Sequence, residues 1–139
     1  MRNEKGSSVL ELALLIPLLV VLLMGVTELS RMFSAAMGVS QAARAGAAYG
    51  MQHGLASADL KAIENATLSS GREIPGLTAT ATRVCLCSNG SEIRCGGEAC
   101  PGKRDYIRVT TEAEFRTSGR YPGIPDRIRL TGNAMLRHE

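Results

Sequence analysis

The residue in this chain with the clearest chemical implication is one carboxylate, Glu11, near the start of a long apolar run. An ionised carboxylate inside a membrane costs roughly 3 kcal/mol even on lenient insertion scales, so such acids usually pair with an opposite charge. Opposite charges attract far more strongly in a medium of low dielectric constant than in water. Glu11 therefore indicates a docking contact within a membrane, the alternative being a solvated residue at the level of the lipid headgroups.

The second chemically informative group is a set of cysteines, Cys85, Cys87, Cys95 and Cys100. In an oxidising compartment, this number of cysteines in a small domain is typical of two disulfides. A zinc site is the alternative, but the spacing CxC followed by CxxxxC is not a standard zinc pattern. A bridge between Cys85 and Cys87 would be strained on a strand. Each of these two is therefore predicted to pair with Cys95 or Cys100, in either combination.

The remaining titratable residues do not form a recognisable catalytic set. The only histidines are His53 and His138, and each is more typical of a solvated surface residue than of a catalyst. No phosphate-binding loop, haem motif or dinucleotide fingerprint is present. The net charge is only +3, and the arginines are scattered without the interleaved aromatic residues of nucleic-acid surfaces. We expect no enzymatic activity, no cofactor, no metal and no nucleic-acid partner.

The element that positions Glu11 is predicted to be a membrane-spanning helix over residues 7–27. Glu11 is its only charged residue, and its length matches the ~20 residues that cross a hydrocarbon core. Arg2 and Lys5 precede it, which favours a cytoplasmic N-terminus with the rest of the chain outside. The alternatives are an uncleaved signal anchor and a secretory signal peptide. The latter is disfavoured because no small-residue cleavage site follows promptly.

Helical character is predicted to continue over residues 28–52, beyond the membrane. The stretch from Ala35 to Gly50 is rich in alanine and glycine, which let a helix approach its neighbours closely. Those neighbours are either the core of the same domain or another subunit. Gly46 and Gly50 indicate weak points or the end of the helix, and Pro17 predicts a kink within the span.

Residues 53–139 are predicted to form a small extracytoplasmic domain of the α+β class. The predicted elements are a helix over 57–68, capped by Ser57 or Asp59, and strands over 77–88, 106–115 and 128–136. The chain as a whole is therefore predicted to be a long N-terminal helix packed on a small antiparallel sheet.

Asn89-Gly90 is the strongest hairpin signal in the chain. A two-residue turn there would place Cys85 opposite Arg94 and Cys87 opposite Glu92 in the paired strands.

The N-terminal motifs resemble those of a known family. Gly6, followed by Ser7 and then by Glu11 at the fifth position after the glycine, is similar to the signal of type IV prepilins. The stretches SSVLELALLIPLLVVLLMGVTELSRMF and AARAGAAYG, and the closing TGNAMLRHE, resemble the TadE-like family, minor pseudopilins of tight-adherence (Flp) pilus systems. The middle of the chain, including all the cysteines, resembles nothing that we recognise.

The resemblance implies a pilin-like fold and processing by a prepilin peptidase. Residues 1–6 would be a cytoplasmic leader cut after Gly6, and Ser7, where many pilins carry an aromatic residue, would be the new N-terminus. Glu11 would dock against the terminal amine of a neighbouring subunit.

The same resemblance implies a location and a set of partners. The protein would lie in the bacterial inner membrane, with its C-terminal domain in the periplasm, and be drawn into or beneath the filament. The implied partners are other pilin and pseudopilin subunits, the inner-membrane assembly platform and membrane lipid. The alternative is an unprocessed single-pass protein whose outer domain binds a partner in the envelope.

Overall fold

The computed structural model describes residues 4–52, 59–97, 100–119 and 123–138, and in residues 4–7 and 138 the backbone alone. The chain divides into two compact units at the boundary between Ser34 and Ala35. The predicted cap Ser57, the predicted surface residue His53 and the start of the leader lie outside the described residues.

The first unit consists of the apolar part of helix α1, which runs over Glu4–Gln52. The helix continues through Pro17, as membrane helices can when neighbouring groups satisfy the carbonyl that proline leaves free. The large apolar side chains from Val9 to Val26 are exposed. By length and composition this helix could cross a membrane, and the long N-terminal apolar helix predicted from the sequence is confirmed.

The second unit contains the remainder of α1, a short helix α2 (Leu60–Ser70) and a four-stranded sheet. The strands are β1 (Thr78–Leu86), β2 (Glu92–Ile93), β3 (Arg104–Arg116) and β4 (Arg127–His138). All neighbours pair antiparallel, in the order β2-β1-β3-β4. The predicted α+β class, with a helix packed on a small antiparallel sheet, is confirmed. The predicted strands were within a few residues of β1, β3 and β4.

One face of the sheet carries the core, because successive side chains of a strand point to opposite faces. The members of the core are small or β-branched residues of both helices and two strands: Ala43, Ala47, Ile63, Ala81, Ile107 and Val109. The opposite face of β1, β3 and β4 is here called the outer face. The predicted alternating strands therefore have one face in the core and one face outside it, as their alternating pattern indicated.

Glycines in α1 allow α2 and the sheet to approach the helix backbone. A Cβ atom added at Gly46 would lie 1.8 Å from Oγ1 of Thr67, and one at Gly50 would lie 2.9 Å from Cδ1 of Ile63. The helix runs through both glycines to Gln52, so the prediction that they mark weak points or the helix end was wrong. Tight packing, rather than chain termination, explains the glycines, and the small-residue stripe faces the core of its own unit.

Helix α2 begins at Leu60, where the side chain of Asp59 accepts a hydrogen bond from the main-chain N–H of Ala62 at 3.1 Å. Asp59 thus provides one of the two predicted caps. The helix extends to Ser70, two residues past the predicted end. Gly71 then caps it by donating its N–H to the carbonyl of Thr67 at 3.1 Å.

The predicted hairpin after β1 is present, but its predicted two-residue turn was wrong. The N–H of Gly90 donates to the carbonyl of Cys87 at 2.9 Å, and the N–H of Cys87 donates to the carbonyl of Ser91 at 3.0 Å. Three residues therefore form the loop, with Gly90 in the left-handed region at φ +82°. The side chain of Asn89 favours this loop by accepting from the N–H of Ser91 at 3.0 Å.

The longer loop shifts the strand register by one residue. Cys85 lies opposite Ile93 and Leu86 lies opposite Glu92, so the predicted pairing of Cys85 with Arg94 and of Cys87 with Glu92 is corrected.

Candidate functional site

Glu11 is exposed on the apolar part of α1. Its flanking residues, Leu10 and Leu12, are 69% and 59% exposed. The backbone of Gly6 and Ser7 is also helical. Because Ser7 and Glu11 are four residues apart, they share one helix face and are separated by about 6 Å along the axis. A terminal amine created at Ser7 would therefore lie on the same side of the helix as the Glu11 carboxylate.

The helix surface that follows Glu11 is apolar and exposed, because residues 12–26 contain no charged side chain. Within the described residues, no part of the most apolar window of α1 is buried, and Leu14 is 74% exposed. At about 25 cal/mol per Å² of apolar area removed from water, covering this surface with lipid or with other helices would stabilise the helix.

The predicted cysteines are brought together at one end of the sheet. Cys85 and Cys95 are joined with a Cα–Cα distance of 5.3 Å, and Cys87 and Cys100 with one of 5.8 Å. This pairing is one of the two combinations left open by the sequence and fits the predicted disulfide bonding. The bridges tie the short strand β2 and the segment after it to the end of β1. They therefore hold a region that has little apolar core of its own.

Asp105 lies against the bridge between Cys85 and Cys95. One of its carboxylate oxygens is 3.1 Å from Sγ of Cys85. A disulfide sulfur carries no hydrogen to donate, so this is a contact and not a hydrogen bond. The Sγ atoms of Cys85 and Cys95 and an oxygen of Asp105 lie within 4.8 Å of one another. Cysteine binds a metal as a thiolate, which these bridged sulfurs are not. The Asp105 carboxylate forms an ion pair with Arg83.

The arginines that are scattered along the sequence share the outer face of the sheet. The strand registers place on this face Arg104, Arg108, Arg116, Arg127, Arg129 and Arg137. The sequence alone does not reveal this grouping, because the grouping depends on the register between β3 and β4. The sequence does contain one indication of this grouping. The arginines of β3 occupy even-numbered positions and those of β4 occupy odd-numbered positions, so the arginines of each strand share one face.

Acidic side chains on the outer face pair with some of these arginines. Arg108 binds Glu92 through two hydrogen bonds of 3.1 and 3.0 Å. These hydrogen bonds raise the pKa of the Arg108 guanidinium above its ordinary value, with burial opposing the shift. The folding free energy that this pKa shift contributes is fully present at a pH below the ordinary pKa of arginine. It is lost only when the pH rises through the raised pKa of Arg108 in the folded protein. Because both side chains are well exposed, the pair contributes less than about 1 kcal/mol.

Comparison with known proteins concerns the segment that carries Glu11. Residues 6–48 match the TadE-like protein family. The predicted resemblance to this family is thereby confirmed over these residues, which we call the TadE-like segment. Comparison with curated proteins and with solved structures gives no match.

The TadE-like segment contains Gly6, Ser7 and Glu11 together with the small-residue part of α1 that packs in the second unit. The match ends before α2, the sheet and the cysteines. The resemblance noted for the closing residues 131–139 lies outside the match and stays a prediction.

Proposed function

We propose that this protein is a minor pilin or pseudopilin that takes part in assembling a tight-adherence (Flp) pilus, with a structural role. The observation that carries the proposal is the match of residues 6–48 to the TadE-like family. That match includes the glycine, the apolar helix and the acid that a prepilin-like signal requires. The exposed apolar surface of α1 agrees with this role, because lipid or other helices around such a helix would stabilise it.

The proposed processing site is the bond between Gly6 and Ser7. Residues 1–6 would be removed on the cytoplasmic side by a prepilin peptidase, leaving residues 7–27 as the transmembrane helix in the inner membrane. Residues 28–52 would continue the helix into the periplasm, and residues 53–139 would form the outer domain. The basic residues Arg2 and Lys5 support this orientation.

Docking of subunits is proposed to use Glu11 and the new amine of Ser7. Both groups lie on one face of α1, so each subunit presents a negative and a positive group side by side. Either charge alone would be costly within the membrane, whereas a reciprocal pair with a neighbour neutralises both. The proposed partners are therefore other pilin and pseudopilin subunits, together with the inner-membrane assembly platform and the surrounding lipid.

Processing is tested by the intact mass of the membrane-extracted protein from a host that carries its own prepilin peptidase. A mass lacking residues 1–6 is expected. Gly6→Leu should give the full-length mass, whereas the control Gly25→Ala should be processed normally, because nothing lies within 4 Å of a Cβ atom at Gly25. A full-length mass for the unaltered chain would refute processing and favour the alternative, an anchored module that binds an envelope partner.

Docking is tested separately by Glu11→Gln in the processed protein. This variant keeps the size of the side chain and removes its charge, so we expect the mature mass to be unchanged and co-purification with pilus subunits to fall. Retention of the full amount of co-purified subunits would show that Glu11 does not dock them.

A further inference from the structure

The two edges of the sheet differ in how their backbone groups are covered. At the β1 edge, the main-chain N–H of Ala81 donates to Oε1 of Glu64 in α2 at 3.0 Å. Strand β2 pairs with the end of β1 at Cys85 and Leu86, and the adjoining disulfides hold it there. This edge is therefore covered by a helix side chain and a stapled strand, which are common protections against unwanted strand pairing.

Strand β4 forms the other edge, and its ladder shows which backbone groups are free. The N–H of Thr117 donates to the carbonyl of Asp126 at 3.2 Å, which identifies this pair as hydrogen-bonded. In an antiparallel ladder such pairs alternate with non-bonded pairs. Even-numbered residues from Ile128 to Leu136 therefore bond to β3, whereas odd-numbered residues direct their N–H and C=O groups away from the sheet.

No described helix, strand or side chain hydrogen-bonds to this outward row of backbone groups. The row belongs to Arg127, Arg129, Thr131, Asn133, Met135 and Arg137. A strand of this length extends about 40 Å at ~3.3 Å per residue. Long uncovered edges readily pair with another strand, so β4 is suited to accept one.

The charge of β4 indicates what kind of strand it would accept. The strand carries no acidic residue, and its arginines project on the outer face. Arg127 and Arg129 form only long ion pairs of 3.6 and 4.0 Å with Glu114 and Glu112. Within the described part of the chain, Arg137 has no ion pair. Self-pairing of two β4 edges would bring surfaces of the same sign together, whereas an acidic strand would gain favourable contacts.

The inner side of the same edge offers a place for apolar side chains. A shallow cavity of about 400 Å³ lies beside the edge, lined by Arg44, Asn133, Ala134, Met135 and Leu136. Ala134 and Leu136 lie on the inner side, since they pair with the core residues Val109 and Ile107, whereas Asn133 and Met135 project on the outer face. An incoming strand with acids on one face and apolar residues on the other would therefore meet arginines on the outer face and the cavity on the inner side.

We propose that the β4 edge docks an extended acidic segment of a partner protein, which adds to the sheet by β-augmentation. Backbone hydrogen bonds to the odd-numbered residues would supply affinity. The arginines Arg127, Arg129 and Arg137 would select acids at alternate positions of the segment. This proposal is independent of processing at Gly6 and of docking through Glu11, since it uses the second unit alone.

The test uses the full-length protein in detergent micelles and a ten-residue probe peptide of alternating glutamate and valine. The reading is amide hydrogen exchange resolved by residue. At saturating peptide, exchange at Thr131, Asn133 and Met135 should slow at least tenfold, while a lysine–valine peptide should have no effect. Absence of slowing, or equal slowing with both peptides, would overturn the proposal. Slowing that depends on protein concentration without peptide would assign the edge to a second copy instead.

Two variants locate the binding on the β4 edge. Asn133→Pro removes one outward N–H and should abolish binding of the acidic peptide, whereas the matched control Asn133→Ala should keep it. If the proline variant unfolds, the double variant Arg129→Glu, Arg137→Glu tests the same binding site. This double variant should no longer bind the glutamate–valine peptide and should instead bind the lysine–valine peptide. An unchanged preference for the glutamate–valine peptide would refute the proposed site.

Discussion

The side-chain hydroxyl of Thr111 in β3 donates a hydrogen bond to the main-chain carbonyl of Val39 in α1 at 2.8 Å, and both residues are fully buried. The helix backbone approaches the sheet closely here, since a Cβ atom on Gly132 of β4 would lie 2.7 Å from the same carbonyl oxygen. Within the second unit, the contact thus joins α1 to strands β3 and β4. It combines close packing with a polar bond at one position.

Thr111→Val should destabilise the second unit. Valine has nearly the same shape as threonine but cannot donate to Val39, so the loss is that of one buried hydrogen bond, about 1–2 kcal/mol. The free energy of unfolding from denaturant titration measures this change. Thr80→Val, at an exposed position of the outer face, is the matched control and should change stability by less than about 0.5 kcal/mol. Equal stability of both variants would show that the Thr111 hydrogen bond contributes nothing.

Gly46→Ala should destabilise the protein even though alanine favours helices. The added Cβ would lie 1.8 Å from Oγ1 of Thr67 and 3.4 Å from the carbonyl oxygen of Ile63, so α2 must move. Overpacking of this kind costs about 1–3 kcal/mol. Gly25→Ala in the same helix has open space around it and should be neutral or slightly stabilising. Thermal unfolding of the two variants compares them, and a Gly46→Ala midpoint at or above that of Gly25→Ala would contradict the packing seen here.

Removing either disulfide should cost about 2–3 kcal/mol, because the bridges close short loops with sequence separations of 10 and 13 residues. The paired replacement Cys87→Ser, Cys100→Ser tests one bridge without leaving an unpaired thiol. Intact mass before and after reduction counts the bridges, with a gain of about 4 Da expected. A cross-pairing such as Cys85 with Cys100, found by peptide mapping, would contradict the connectivity.

Glu64→Ala should expose the β1 edge. The variant leaves the N–H of Ala81 without its acceptor, and the loss of such a partly buried hydrogen bond costs about 1 kcal/mol. Glu64→Gln keeps an acceptor oxygen and should retain most of the stability. Hydrogen exchange at Ala81 is the direct measurement: it should accelerate in Glu64→Ala and remain slow in Glu64→Gln. Identical exchange in both variants would show that Glu64 does not cover this edge.

The helices and strands could largely be predicted from the sequence because their signals are local. The apolar run around Glu11 specifies a long exposed helix, and alternation in β1 and β3 specifies strands with one buried face. Asp59 was recognisable as a cap because capping involves only neighbouring residues.

The errors arose from distant contacts in one case and from a local side-chain hydrogen bond in the other. Gly46 and Gly50 resemble helix ends in the sequence, yet in the structure they lie within α1 and allow Thr67 and Ile63 of α2 to pack closely against it. The hairpin register shifted because Asn89 bonds to Ser91 and favours a three-residue loop over the two-residue turn that Asn-Gly usually indicates. The two loop lengths differ by a few hydrogen bonds, and the glycine positions differ in what packs against them, neither of which composition and periodicity distinguish.

By itself, the sequence determined the apolar helix with its one acid, the similarity of that segment to TadE-like proteins, and the presence of an antiparallel sheet beside paired cysteines. These features follow from hydrophobic periodicity and residue spacing along one stretch of chain. Only the tertiary structure decided the cysteine connectivity, the grouping of arginines on the outer face and the contrast between a covered β1 edge and an open β4 edge. Strand order and register create these relationships, because they bring together residues whose separation in the chain carries no local signal.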